Sequence, residues 1–174
     1  MLVMNNNASA QPAQQTISLL LPSHTAWNLA SINHDNLITT MTFTPPRNSQ
    51  FNPHTQIVQQ IIPYANIPDS DHPNINTHNY PKLRVESVQT RCNKVESRIF
   101  QQTSHSSYFV IIGTSCSGPY SKFMSFEKVF AGVDALYVVR YDALDPTNIS
   151  DKEMGPFERM IRTSYLMKNP RYQG

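Results

Sequence analysis

The stretch from Phe126 to Leu144 reads FEKVFAGVDALYVVRYDAL, and its second half decides the fold. Leu136 to Tyr141 is β-branched and aromatic with almost no polar interruption, which is typical of a strand buried on both faces of a sheet. Gly132 and Asp134 supply turn chemistry before this run, and the apolar residues after Ser125 favour one or two helical turns. The stretch therefore predicts a short helix, a glycine turn and a central strand.

Several further segments have the composition of strands. Residues 108–112 are uniformly apolar or aromatic, and we expect them to neighbour residues 136–141 in one sheet. Residues 27–32 alternate large apolar with small polar side chains, and residues 37–44 are rich in threonine, so the polar turn at 33–36 predicts a hairpin. Additional strands are predicted at 16–21 and 95–103.

Three segments predict helices that would cover this sheet. Residues 52–63 open with Asn-Pro and carry isoleucine and valine at helical spacing, which favours a short amphipathic helix. Residues 83–94 favour a helix because their middle contains no helix breaker, and residues 151–168 carry one apolar stripe. Since Gly155 and Pro156 interrupt that stripe, the last helix is predicted to begin at Pro156. The result is an α+β protein with a mostly antiparallel sheet.

The chain length and composition predict one domain that works outside the cytosol. A chain of 174 residues suits a single core, with a flexible tail at residues 1–15 and one domain at 16–174. Charged residues make up only 15%, so solubility comes from neutral polar side chains. Ala8-Ser9-Ala10 has the small-x-small form of a signal peptidase site, and we interpret the tail as a signal-peptide remnant.

The sequence lacks the signals of a nucleic-acid-binding protein and of a membrane-spanning protein. Arg47 is the only Lys or Arg before Pro81, and the other thirteen of the fourteen are interleaved with acids rather than clustered. The footprint of a nucleic-acid-binding protein is therefore missing. No apolar run approaches the roughly 20 residues that cross a bilayer, so no transmembrane segment is predicted.

The two cysteines, Cys92 and Cys116, predict one disulfide, because an even count is expected in an exported chain. On the chain-entropy view, closing such a loop stabilises the fold by roughly 3 kcal/mol. The alternative is two separate buried thiols.

Possible catalytic and metal sites are all weak. Gly113-Thr114-Ser115-Cys116-Ser117 resembles a nucleophile elbow, but Gly-Pro follows where that motif needs a helix, and a disulfide would remove Cys116 as a partner of His105. Asp and His side chains in the proline-rich connection at 63–81 could hold a metal, but their spacing matches no known site: Asp69, Asp71, His72 and His78. We predict no catalytic residue, no metal and no cofactor.

The C-terminal segment is the best candidate for a contact surface. Arg and Tyr are enriched where proteins bind each other, and helical spacing puts Arg159 and Arg162 on one exposed side. The predicted partner-binding residues are Arg159, Arg162, Tyr165 and Lys168. An ordinary solvated helix face is the alternative.

The order of elements resembles the PsbP-like family, with its Mog/PsbP-type fold, and in particular its small exported bacterial members. The likeness covers roughly residues 16–168 and is carried by Trp27, residues 42–45, Tyr108-Phe109, the two cysteines and residues 127–137. The resemblance implies an α/β/α sandwich around a mostly antiparallel sheet and a type II secretion substrate. It supplies no shared catalytic residues.

We therefore expect a secreted or periplasmic, non-enzymatic binding protein, a monomer that acts as an effector on an unidentified host or envelope protein. One alternative is a small-ligand binder or hydrolase with a site between the 63–81 connection and His105. The other is a periplasmic structural or assembly factor.

Overall fold

The computed structural model describes residues 13–21, 27–35, 38–47, 53–67, 75–145 and 151–168. Their strands are β1 (Gln15–Ser18), β2 (Asn28–His34), β3 (Thr39–Thr44), β4 (Thr55–Pro63), β5 (Cys92–Gln102), β6 (Ser106–Cys116), β7 (Lys122–Ala131), β8 (Ala135–Leu144) and β9 (Tyr165–Lys168). The helices are α1 (Tyr80–Gln89) and α2 (Asp151–Thr163), with a single 3-10 turn at Tyr64–Asn66. None of the helices in these ranges is long and apolar enough to cross a membrane.

Seven strands form one antiparallel sheet in the order β2-β3-β4-β8-β7-β6-β5. β1 and β9 form a separate antiparallel pair. β8 lies in the middle of the large sheet, and Leu136 to Val139 are almost completely buried. The predicted central strand is therefore present, because an apolar run is stable only where both faces of a sheet are covered.

The two predicted core strands are in one sheet, but they are not neighbours. Residues 108–112 lie in β6, and β7 separates β6 from β8. The predicted helix at Phe126 was wrong, since Phe126 belongs to β7. Along this strand Ser125, Glu127 and Val129 point to one face of the sheet. Phe126, Lys128 and Phe130 alternate with them and point to the other face. That period of two is the period of a strand.

The predicted helix at residues 52–63 was also wrong, because most of this segment forms β4. Ile57 packs in the apolar cluster on one face of the sheet, and Ile62 packs in the cluster on the other. Apolar residues on both faces hide the alternation that identifies a strand, and the remaining pattern imitates a helical stripe. The β-branched side chains of Ile57, Val58, Ile61 and Ile62 favour a strand.

The predicted fold class, an α+β protein with an α/β/α sandwich, was wrong. In the described ranges nine strands stand against two α-helices, so the protein is mostly β. The C-terminal helix was predicted to begin at Pro156 and end at Lys168, which is too late at both ends. α2 runs through Pro156 and ends at Thr163, and Tyr165 starts β9, which pairs with β1. Of the predicted tail at residues 1–15, Gln15 begins β1 and residues 1–12 lie outside the described residues.

The two faces of the large sheet differ. On the α2 face, Phe157 stacks on Tyr141 with ring centroids 4.3 Å apart and 2° between the ring planes. Trp27 adds an edge-to-face contact with Phe157. On the same face the Nζ atom of Lys128 donates hydrogen bonds to the carbonyl oxygens of Arg162 and Ser164. These carbonyl groups lie at the C-terminal end of α2, where the helix itself supplies no N–H donors.

On the α1 face, Val88 of the helix is completely buried against strands β5, β6 and β8, whose residues Cys92, Phe109, Ile111 and Val138 belong to the same apolar cluster. Towards the start of β7 and the end of β8 this face becomes polar, and that polar region is the candidate site.

Candidate functional site

The polar region is built from side chains that neighbouring strands place directly opposite each other. Asp142 of β8 lies between Gln56 of β4 and Ser125 of β7. Two residues earlier along β8, Arg140 lies opposite Glu127 of β7. Since paired residues in an antiparallel sheet share a face, the strand registers alone bring these groups together.

Two ion pairs are buried here. Arg84, which α1 carries over the sheet, points its Nε at both oxygens of Glu127, at 3.0 and 3.2 Å, and Glu127 is completely buried. Arg140 Nε donates to Asp142 Oδ2 at 3.0 Å, and its Nη1 donates to Gln60 at 3.1 Å. We call Arg84, Glu127, Arg140 and Asp142 the charge cluster.

Both carboxylate oxygens of Asp142 accept hydrogen bonds. One oxygen accepts a hydrogen bond from Ser125 Oγ at 2.7 Å, and the other accepts from Gln56 Nε2 at 2.9 Å as well as from Arg140. Burial acts to raise the pKa of Asp142, but Arg140 and the two hydrogen bonds outweigh it, so the pKa lies below its ordinary value. This carboxylate is therefore ionised and a weak base.

Glu127 behaves differently because it is more deeply enclosed. Burial raises the pKa of Glu127, with Arg84 and Arg140 opposing the shift and Asp142 adding to it. The neighbouring carboxylates and Tyr80 raise the pKa of Arg140 against the effect of its burial. Arg140 is thus a permanent cation held between two carboxyl groups.

A cleft of about 210 Å³ opens over the charge cluster. Arg84, Arg140 and Asp142 of α1 and the sheet line it, together with Arg91 and residues 116, 117, 119 and 120 next to the disulfide. The remaining lining residues are Gln56, Cys92, Phe123 and Leu144. We call this space the disulfide-end cleft.

The disulfide itself is confirmed. Cys92 and Cys116 are direct partners in the β5–β6 register, and their sulfur atoms are bonded across the edge of the sheet. Gly113 leaves room for it, because a Cβ at that position would come within 2.8 Å of Cys92 Sγ and would also overlap the ring of Phe123. The bridge holds together the two segments that carry Arg91 and Ser117.

Tyr120 at the rim is positioned by a second ring. Its hydroxyl group lies 2.9 Å from Nδ1 of His54, and the two ring centroids are 5.2 Å apart. The backbone oxygen of His54 accepts a hydrogen bond from Leu144 N, another lining residue. These contacts join the start of β4 to the turn before β7, beside the cleft.

Comparisons with known proteins do not assign the chain to a family. No family model matches it, and no curated protein does. Among solved structures, LpqN of Mycobacterium tuberculosis, described as involved in cell envelope biogenesis, matches with 12% identity. The match covers 91% of this chain and 87% of LpqN, with a TM-score of 0.47. The resemblance to the PsbP-like family gains no support from these comparisons.

The predicted partner-binding residues are all exposed, but they do not form one helical face. Arg159 and Arg162 lie in α2, whereas Tyr165 and Lys168 lie in β9. Lys168 pairs with Gln15 and lies three residues after Tyr165, so the two side chains project to opposite sides of the small sheet. Their role in binding a protein, and the monomeric state, stay predictions.

The alternative site near His105 lies at the opposite end of the sheet from the cleft. There, polar groups bond each other: Gln102 Nε2 donates to the oxygen of His78, and Thr77 Oγ1 donates to that of Ser104. Asp69, Asp71 and His72 lie outside the described residues. In the part of the chain that is described, no three His, Cys, Asp or Glu side chains gather as a metal site.

Ser115 does not have the surroundings of a nucleophile elbow. It lies at the end of β6 with a positive φ of 52°, and the chain continues through a turn into β7 rather than into a helix. Cys116 is bonded to Cys92, and His105 stands at the far end of β6.

The charge cluster was missed from the sequence, although each strand carried a signal. Arg140 and Asp142 interrupt an apolar run, and Glu127 with Lys128 interrupts the apolar residues of β7. Because a charged residue in a buried strand is costly unless paired, each interruption indicates a partner elsewhere in the fold. No feature of the sequence around Arg84 in α1 identifies it as the partner of Glu127.

Proposed function

We propose that this chain is an exported, non-enzymatic binding protein and that the disulfide-end cleft holds its ligand. The observation that carries the proposal is the charge cluster beneath the cleft. Two buried ion pairs cost more in desolvation than well-packed apolar side chains of the same volume. Charges kept at such a cost beside a cavity, with shifted pKa values, are typical of a functional site.

Export is supported by the disulfide, because such bonds persist in oxidising compartments and are rare in the cytosol. The proposal covers both a secreted and a periplasmic protein. Fractionation of the producing cell distinguishes them, since release into the medium favours an effector and retention favours an envelope factor.

The absence of an enzymatic role is supported by the chemistry of the groups that reach the cleft. Among the described lining residues the only sulfur atoms are in the disulfide. Ser125 Oγ donates a hydrogen bond to Asp142, and the lowered pKa of Asp142 makes this carboxylate too weak a base to activate a hydroxyl group. Glu127 has a raised pKa, but it is fully buried behind Arg84 and does not line the cleft.

A fragment screen by NMR tests the proposal. We expect bound fragments to shift the amide signals of Gln56, Tyr120 and Leu144, which line the cleft from three segments. The variant Ser117→Trp places a large ring at the exposed rim and keeps the backbone hydrogen bond from Ser117 to Arg91, so it should fold and lose these hits. Ser104→Trp, at the opposite end of the sheet, is the matched control.

Two results would contradict the proposal. One is a set of hits whose shifts map away from the cleft. The other is binding that survives Ser117→Trp unchanged. Turnover of a bound fragment in the same samples would contradict the non-enzymatic part alone.

A further inference from the structure

The acceptor groups in the wall of the disulfide-end cleft are already used inside the protein. Asp142 accepts hydrogen bonds from Arg140, Ser125 and Gln56. Glu127 turns both oxygens towards Arg84 and is completely buried. A ligand in the cleft therefore meets few carboxylate lone pairs that could bind a cation.

The donor groups are in the opposite situation. Arg84 and Arg140 use their Nε atoms on the carboxylates, and Arg140 uses one more N–H on Gln60. In the described ranges, no group accepts a hydrogen bond from the Nη atoms of Arg84 or from Nη2 of Arg140. Since both side chains line the cleft, these donors are available to a ligand.

Arg91 adds a third guanidinium at the rim. Its side chain is exposed and lines the cleft, and no described residue forms an ion pair with it. Its backbone oxygen accepts a hydrogen bond of 2.7 Å from Ser117 N, which fixes the turn on which it sits. Three guanidinium groups thus face two carboxylates, and one positive charge remains in excess.

We infer that the ligand of the disulfide-end cleft presents a small oxyanion, a phosphate or carboxylate group, to Arg84, Arg91 and Arg140. Guanidinium groups bind both kinds of oxyanion through paired N–H donors. The inference rests on the proposed function because it assigns a ligand class to the same cleft.

The size of the cleft indicates how much of the ligand enters. A space of about 210 Å³ is smaller than the roughly 300–1,000 Å³ of pockets that enclose a whole drug-sized molecule. It accommodates a free small anion, or the anionic end of a larger molecule whose remainder stays outside. Inorganic phosphate and glycerol phosphate distinguish these two sources, because only the second carries a body beyond the anionic group.

The test is an NMR titration of the full chain at constant ionic strength with four probes. Acetate and acetamide have the same shape and differ in charge, and the other two probes are inorganic phosphate and glycerol phosphate. We expect acetate and phosphate to shift the signals of cleft residues, with an affinity at least about tenfold above that of acetamide, because hydrogen bonds to a charged acceptor are stronger than those to a neutral one.

The variant Arg91→Gln removes the excess charge without leaving a buried carboxylate unpaired, so it should fold normally. We expect it to weaken phosphate binding about tenfold, which corresponds to about 1.4 kcal/mol. Arg98→Gln makes the same change on exposed edge strand β5, away from the cleft, and should leave the affinity unaltered.

Three outcomes would overturn the inference: acetamide that binds as tightly as acetate, unchanged phosphate affinity in Arg91→Gln, or no response of the cleft signals to either anion. Each is separate from the failure of the proposed function. If neutral or cationic fragments still bind in the cleft and Ser117→Trp removes them, the binding function holds and the oxyanion assignment is wrong.

Discussion

The two faces of the large sheet are formed by the same strands, yet they are built by opposite chemistry. Along β8, Tyr137, Val139 and Tyr141 point to the α2 face, whereas Arg140 and Asp142 alternate with them on the α1 face. Both sets are largely buried. One strand therefore supplies an aromatic core on one side and an ion pair on the other.

This difference separates the part of the molecule that stabilises it from the part available for recognition. Stacked rings on the α2 face gain dispersion and apolar burial without the desolvation of a charged group. Buried ions on the α1 face must first be desolvated, and their mutual attraction about offsets that cost. We expect substitutions on the α2 face to act on stability, and suitably matched substitutions on the α1 face to act on binding.

The largest expected effect is on the α2 face. Phe157→Ala removes a completely buried ring that contacts both Tyr141 and Trp27, and we expect it to lower the free energy of unfolding by about 4 kcal/mol. Phe100→Ala is the matched control, because that ring lies on edge strand β5 and is 46% exposed. Urea denaturation measures both. Because Phe100 stacks on Tyr108 at the exposed margin of the same face, equal losses in the two variants would mean that burial of the Phe157 ring adds no stability beyond that of an exposed ring.

The charge cluster provides the counterpart on the α1 face. Arg84→Met leaves Glu127 buried without its partner, and we expect a loss of about 3 kcal/mol. The double variant Arg84→Met/Glu127→Leu removes both charges, and its stability should return to within about 1 kcal/mol of the parent or exceed it. Phosphate binding should stay weakened in the double variant.

That recovery is the decisive result, and urea denaturation of the single and double variants measures it. A double variant as unstable as Arg84→Met would mean that the ion pair is a net source of stability. The two faces would then differ in chemistry but not in role.

The same contrast explains what could be predicted from the sequence. The central strand at residues 136–141 and the strand at 108–112 were predictable, because a long apolar β-branched run has few other stable placements. β4 and β7 were mistaken for helical segments since they, too, bury both faces and show no simple alternation. The sheet thus has more strands than the periodicity indicates, and the predicted sandwich failed for that reason.

The site was less predictable than the fold. The disulfide followed from an even cysteine count in a chain that looks exported, but the charge cluster joins α1 to β7 and β8, and Arg84 and Glu127 are 43 positions apart in the sequence. Such a contact depends on which helix covers which strands, and local sequence carries no information on it. The predicted site residues were chosen for exposure and composition, whereas the charges beneath the cleft are buried.

The smallest effect concerns the pH dependence of stability on the α1 face. The pKa of Asp142 is lower in the folded protein than its ordinary value of 3.8, so near that pH the unfolded chain binds more protons. The contribution of Asp142 to stability is therefore complete above the ordinary pKa and is lost as the pH falls through the folded value. Asp142→Asn should be less stable at neutral pH but should lose less on acidification between about pH 6 and about pH 3.

Glu127 contributes with the opposite sign, because its folded pKa is raised and protonation favours the folded state as the pH falls. In the Arg84→Met/Glu127→Leu variant that contribution is absent, and Asp142 is the only carboxylate left in the charge cluster. Adding Asp142→Asn to this variant therefore isolates the titration of Asp142. Glu86→Gln, a substitution of an exposed carboxylate on α1, is the control. The same acid-induced loss of stability with and without Asp142 would mean that Arg140 does not keep Asp142 ionised in the folded protein. The contrast between the two faces would then lose its electrostatic basis.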